Sequence, residues 1–232
     1  MTVCWFAQFR HAAPDLAWLT DVIAATPALQ RGLIFTPSNT SDPYLDDGPP
    51  PQLALQLYFD DIALLEAALA ANGHPQRLGV LESVGASQQA MLVRRYPVPD
   101  PTFRTPPGEL PCTYLVAYEG AAEDLPAWLS HYIADHPPIM ARFPGIRQIE
   151  IYTCIDWCGG LPWPRVAHMQ RNKVVFDNQA ALTAALNSPV RHEMRAAFHR
   201  FPPFSGPVTH FPMETVTVLP EAVTSGPIES ER

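Results

Sequence analysis

Apolar and polar positions alternate along the chain in two successive blocks with the same order of elements. In the first block, VCWFAQF (3–9) runs apolar like a strand. PDLAWLTDVIAA (14–25) carries the helical spacing Leu16, Leu19, Val22, Ile23. A strand at RGLIFT (31–36), a strand QLALQLYF (52–59), a helix DIALLEAALAANG ending at Gly73 and a strand QAMLVRRYPV (89–98) follow. The second block repeats this with TYLVAYE (113–119), a helix over 122–136, strands over 146–155 and 166–176, a helix over 179–200 that Pro189 breaks or kinks, and a strand over 208–218.

The predicted fold class is therefore α+β: two fused ferredoxin-like βαββαβ repeats forming an intramolecular α+β barrel. A four-stranded sheet with helices on one face leaves the other bare, and two bare faces in one chain can bury each other. The expected organisation is an N-terminal repeat over 1–98, a proline-rich linker over 99–111, a C-terminal repeat over 112–219 and a tail over 220–232. The linker, VPDPTFRTPPGELP, belongs to a chain with 27 prolines, and proline removes a backbone donor and restricts its neighbour.

Alternation also sorts side chains between the faces. In IRQIEIYTC, Ile149 and Ile151 are expected against the helices, with Gln148, Glu150 and Tyr152 in the barrel; on the next strand His168, Gln170 and Asn172 are expected in the barrel too. In the first half Leu53, Leu55, Leu57 and Phe59 take the helix side, leaving Gln56 and Tyr58 inside. Buried polar groups need partners, so such a row implies water, a ligand or a solvated sheet edge, unless the register is shifted by one.

The net charge of −8 with 15 Lys and Arg carries no basic stripe, which excludes nucleic acid as an expected partner. No apolar run is long enough for a membrane span, and the start reads as a strand rather than a secretory signal, so a cytoplasmic location is expected. Among the four cysteines, Cys4 and Cys112 read as buried thiols; Cys154 and Cys158 are too few for a structural zinc site, and no metal is expected.

Six of eight histidines lie in the second half. On the helix over 122–136, Leu125, Trp128, Leu129, Tyr132, Ile133 and His136 share one face, so His136 points inward at the helix end, before Pro137 and Pro138. Burial and the helix C-terminus push its pKa in opposite directions. His192 and His199 fit a helix surface, and His210 can face the barrel.

The segment WLSHYIADHPPIMARFPGIRQIEIY (128–152), with Tyr132, His136, Pro137, Pro144 and Gly145, resembles the EthD-like branch of the dimeric α+β barrel superfamily, as does the run NSPVRHEMRAAFHRFPPF. The first helix of the first half passes into ATPALQRG without a His-Pro pair, which favours a site in the second half. The resemblance implies a small-molecule enzyme without a bound cofactor and leaves the reaction open among monooxygenases, isomerases, decarboxylases and dehydratases. No Walker loop, GxGxxG, HExxH or GxSxG signature occurs.

What remains is acid/base chemistry. His136 is the candidate base, Tyr132, Tyr152 or His168 a second proton donor, and Glu150 an orienting carboxylate. Arg142, Arg147 and Arg171, with Gln148, Gln170 and His210, are candidate substrate contacts, and each arginine reads equally as a salt-bridge partner. Trp128, Trp157 and Trp163 offer apolar walls, and the WCGGLPWP loop either covers a site or forms a tight connector. The leading expectation is a cofactor-independent isomerase or tautomerase of a small unsaturated or aromatic-derived carboxylic acid, in aromatic catabolism. The alternatives are a cofactorless monooxygenase of phenolic or polyketide substrates, which wants a more apolar cavity, and a non-catalytic small-molecule-binding protein. Further pairing into a homo-oligomer through outer strands is left open.

Overall fold

In the computed structural model, which describes residues 1–81 and 83–220, eight strands close into one antiparallel barrel in the order β1-β3-β2-β8-β5-β7-β6-β4. The chain order is β1 (Val3–Phe9), α1 (Leu16–Ala24), β2 (Arg31–Pro37), β3 (Leu53–Phe59), α2 (Ile62–Leu69), a 3₁₀ segment (His74–Val80) and β4 (Ala86–Tyr96). It continues as β5 (Cys112–Tyr118), α3 (Leu125–Met140), β6 (Ile146–Cys154), β7 (Gln170–Phe176), α4 (Gln179–Leu186), α5 (Pro189–Phe198) and β8 (Val208–Val218). Pairing of β2 with β8 and of β4 with β6 joins the first four strands to the last four. Of the expected tail, all but Pro220 lies outside the described residues. Among the described residues no helix is long and apolar enough to cross a membrane.

Local chemistry sets the helix starts. Asp15, Asp61, Asp124 and Asn178 each accept a hydrogen bond from the backbone N–H three residues on, satisfying a donor that the first turn leaves free. Pro189 ends one helix and begins another: α4 stops at Leu186, and α5 starts with the proline at its first position, where the missing N–H costs nothing. At α3 the expected boundary is wrong. The helix runs on through Pro137 and Pro138 to Met140, at the cost of two hydrogen bonds that the carbonyls of Ile133 and Ala134 would otherwise receive.

Two apolar layers and a lumen follow from strand alternation. Val3, Trp5, Phe9, Leu53, Leu55, Leu57 and Phe59 pack under α1 and α2, and Tyr114, Tyr118, Ile149, Ile151, Val174 and Phe176 under α3 to α5. The lumen holds Cys4, Phe6, Leu33, Phe35, Tyr58, Met91, Leu115, Tyr152 and Met213. The faces expected for β3 and β6 are those observed. That for β7 is reversed: Gln170 and Asn172 share the face of Val174 and Phe176, opposite Tyr118 and Val116 of β5, and face the helices. The apolar pair at the end of β7 sets its phase, which the polar residues at its start had obscured. Arg171 and Lys173 fill the lumen instead, Lys173 facing Glu150 across β6.

Candidate functional site

Between the outer face of β5, β7 and β8 and the helices α3, α4 and α5 lies a cavity of about 320 Å³. Its walls are apolar: Val116 and Val174 from the sheet, Met140 and Phe143 from the end of α3, Leu182 and Leu186 from α4, and Met194 and Phe198 from α5. Polar side chains also reach it: His136, Asn172, Tyr44, Tyr114, Tyr118, Arg191, Arg195, His199 and His210. An apolar space of this size with a few placed polar groups is the form of a small-molecule site.

His136 enters from α3. It is 3% exposed, packs against Phe201 with ring centroids 4.5 Å apart and against Tyr132 at 4.9 Å, and its Nδ1 is buried without a partner. Burial pushes its pKa down to about 3, with the nearby cations Arg200 and Arg191 adding to the effect and Asp135 opposing it. The continuation of α3 past the prolines leaves this imidazole within the helix rather than at its negative end, so burial prevails. The ring is neutral at physiological pH.

One side of the cavity is bordered by Tyr44 and Leu45 of the segment between β2 and β3, which comes from the first half of the chain. Asp42 accepts hydrogen bonds from Tyr114 Oη (2.6 Å) and Arg191 Nε (2.9 Å), and Arg191 Nη2 lies 2.8 Å from the same oxygen. Tyr44 Oη is 2.7 Å from His192 Nδ1, and the guanidinium groups of Arg191 and Arg195 stand 5.4 and 5.3 Å from its ring centroid. Asp47 accepts from both the backbone N–H and Nδ1 of His210, each at 2.8 Å. Apart from His210, no sequence pattern marks these residues, since their partners are more than 70 positions away.

The remaining candidates scatter. Tyr132 and Trp128 stack beside His136, 5.2 Å apart, in the aromatic cluster behind the cavity; Tyr132 Oη, Trp128 Nε1 and both side-chain polar atoms of Gln170 are buried there without partners. Arg142 pairs with Glu193 on the surface, and Arg147 binds Asp177 (2.7 Å) and Asp100 (2.8 Å). Trp157 stacks under Arg165, whose Cζ is 4.1 Å from its ring, and His168 precedes β7, its carbonyl accepting from Gln89.

Glu150 and Tyr152 sit in the barrel lumen, on the opposite face of the sheet from the cavity. Glu150 is fully buried and receives Tyr58 Oη (2.5 Å), Tyr152 Oη (2.7 Å), Gln148 Nε2 (2.9 Å), Arg31 Nη2 (2.9 Å) and Arg95 Nε (3.1 Å), with Lys173 Nζ at 3.3 Å. Burial alone would protonate it, but Lys173, Arg31 and the two tyrosine hydroxyls outweigh that and hold its pKa at about 2. Every lone pair is engaged, so this carboxylate is a structural centre rather than a free base.

Trp163 belongs to the packed layer of the first half. The WCGGLPWP loop inserts Trp163 against Trp5 (centroids 6.1 Å) and Phe9 (4.7 Å) in the first-half layer, and Gln88 Nε2 donates to the carbonyls of Leu161 and Trp163. Gly160 lets the loop approach the end of α2: its N–H donates to Leu69 O at 2.7 Å, and a Cβ there would stand 2.8 Å from Ala71 Cα. The loop is neither a cover for the cavity nor a bare connector but a wedge.

The two depressed histidines make stability pH-dependent. His168 is pushed down to about 3 as well, by burial and by Arg171. Folded-state values below the unfolded 6.5 mean that the unfolded chain binds more protons under pH 6.5, so stability falls as pH drops from there towards 3. Each histidine is expected to cost about 2 kcal/mol at pH 5. Urea unfolding at pH 7 and pH 5 checks this, and His136→Gln should remove about half of the difference.

No protein-family model matches this sequence, and no curated protein matches it. Solved structures do. An anthrone oxidase-like protein is 12% identical with a TM-score of 0.63, covering 93% of this chain and 92% of its own. A candidate monooxygenase from Fusobacterium nucleatum is 6% identical with a TM-score of 0.59, covering 92% of each chain. A candidate monooxygenase from Lactobacillus acidophilus is 11% identical with a TM-score of 0.54, covering 94% of this chain and 96% of its own. At these identities the similarity is one of fold: the α+β barrel.

Proposed function

We propose that the chain is an oxygenase of a flat phenolic substrate, of the anthrone type, that reacts with dioxygen through its own anion. The observation that carries this reading is the cavity: apolar walls of a size for fused aromatic rings, with a neutral His136 and the Asn172 carboxamide reaching in. The fold similarity to an anthrone oxidase-like protein agrees with it. The isomerase expectation joined His136 to Tyr132, Tyr152 or His168 and to Glu150, and of these Glu150 and Tyr152 belong to the lumen network instead.

The chemistry follows from the groups present. His136 Nδ1 is buried behind the ring, which leaves Nε2 as the nitrogen on the cavity side. It takes a proton from the substrate, and the resulting anion restores to the imidazolium the stabilisation that burial removed. Asn172 donates to the developing oxyanion in a space with little water. The electron-rich anion then reduces dioxygen, and a methylene becomes a carbonyl: R₂CH₂ + O₂ → R₂C=O + H₂O. One oxygen atom enters the product, the other leaves as water, and four electrons pass from carbon to oxygen.

The chain order β-α-β-β-α-β, occurring twice and followed in the second half by the His136-Pro137 pair, supports two fused ferredoxin-like repeats with an EthD-type second repeat and a boundary in 99–111. His136→Gln is expected to lower kcat/KM about 10²–10³-fold on a tricyclic phenol, read by oxygen uptake and quinone absorbance together. Equal turnover by His136→Gln, or no oxygen uptake by the wild type across a panel of such phenols, would overturn the reading.

A further inference from the structure

We propose that the end of the barrel lumen beneath Gln89 and His168 binds a small carboxylate anion on Arg171. This site lies on the opposite face of the sheet from the cavity and does not depend on the oxygenase reading.

Among the described residues, Arg31, Arg95, Arg171 and Lys173 gather in the lumen and at its rims around the carboxylate of Glu150, with Glu119 near Arg171. Three of the cations lie within 3.3 Å of Glu150. Arg171 does not: among the described residues it forms no salt bridge. It is 5% exposed, and its Nε makes one long hydrogen bond, 3.4 Å, to Gln89 Oε1. Its other neighbours are the Phe6 ring, whose centroid stands 5.4 Å from its Cζ, and Glu119, whose carboxylate acts on it from beyond salt-bridge distance. A buried guanidinium with five donors and one weak acceptor is costly unless an anion joins it.

Two further groups turn towards the same place. Gln89 bridges outward, donating to the carbonyl of His168 (2.9 Å) and to Cys154 Sγ (3.3 Å). His168 Nδ1 is buried without a partner. Burial and Arg171 keep its ring neutral, so this nitrogen can carry an N–H for an anion to accept. On the outer side of Gln89, the hydrogen-bond partner of Arg171, opens a depression of about 400 Å³ that Cys154, Trp157 and Arg165 also line. Asp156 also lines it, with Arg165 to offset its charge. The planar fork of an arginine matches a carboxylate with two parallel N–H···O bonds, and this selects a carboxylate over a spherical anion.

The test is titration of the full chain with sodium formate and acetate at constant ionic strength against sodium chloride, read by calorimetry and melting temperature. Saturable binding of formate or acetate is expected, with a matching rise in melting temperature. Arg171→Met should weaken that binding about tenfold or more, and His136→Gln should leave it unchanged. No carboxylate response beyond the chloride control, an equal response to chloride, or unchanged affinity in Arg171→Met would each overturn the assignment. If Arg171→Met does not fold, His168→Gln takes its place, and carboxylate affinity equal to the wild type in that variant overturns it as well.

Discussion

Replacing Glu150 by leucine is expected to cost about 3–5 kcal/mol of folding stability at pH 7, because it leaves Lys173 buried and uncompensated in the lumen. Tyr58 and Tyr152 would lose their shared acceptor at the same time. The cost belongs to the orphaned charge, not to the pair. The double variant Glu150→Leu/Lys173→Met should therefore recover most of the loss, since apolar replacements of a buried ion pair are often neutral or better. Denaturant unfolding of the wild type, both single variants and the double variant gives the coupling directly. A loss below about 1 kcal/mol for Glu150→Leu would mean that water reaches Lys173. Acid acts in the same direction. The folded pKa of Glu150 lies below its unfolded value, so its contribution is complete above about 4.5 and disappears as pH falls through about 2.

Trp163→Ala is expected to cost about 3–5 kcal/mol and to open a second cavity in the first half, against Trp5 and Phe9. The backbone carbonyl of residue 163, which accepts from Gln88, is retained, and Gly160 still anchors the loop, so the space should persist instead of collapsing. An apolar space of that kind takes an aromatic guest. Indole should then raise the melting temperature of the variant by more than that of the wild type, whose second-half cavity also admits an aromatic guest. If the two rises are equal, the loop has closed over the gap.

Much of the architecture was legible because each element carried its own signal. β8 lies where its alternation places it, Pro189 divides the last helical stretch, and β3 and β6 show their faces through runs of leucine and isoleucine. β7 shows why a face can be misread. Within seven residues it contains Gln170, Arg171, Asn172 and Lys173, polar on both faces, and only Val174 and Phe176 reveal the phase. That reversal moved Asn172 from the lumen to the cavity. The α3 prolines were misread for another reason: helix continuation there depends on packing of Met140 and Phe143 in the second-half layer, which no local pattern encodes.

The site itself was half visible. His136 stood out through helical spacing and lies where that spacing put it. The groups on its far side did not, because Tyr44 lines the cavity, and Asp42 and Asp47 hold its lining residues Arg191 and His210, from a proline- and glycine-containing loop of the other half. Contacts of long sequence separation leave no periodic trace. Glu150 and Tyr152 were visible too, but only strand pairing shows that their polar row faces Lys173 and not His136.

The loop between β2 and β3 has a consequence for how such a protein changes over time. Residues 38–52 lie between two strands and contribute almost nothing to the three apolar layers, yet they supply Tyr44 to the cavity lining and Asp42 and Asp47 as partners of lining residues. Substitutions and length changes there are free of the packing constraints that bind the barrel. On the proposed oxygenase reading, substrate range would shift by editing a segment of one half while His136 stays in the other. The same division ties the halves together: a gene fragment encoding residues 112–219 alone would keep the imidazole and lose Tyr44 and Leu45 from the cavity lining.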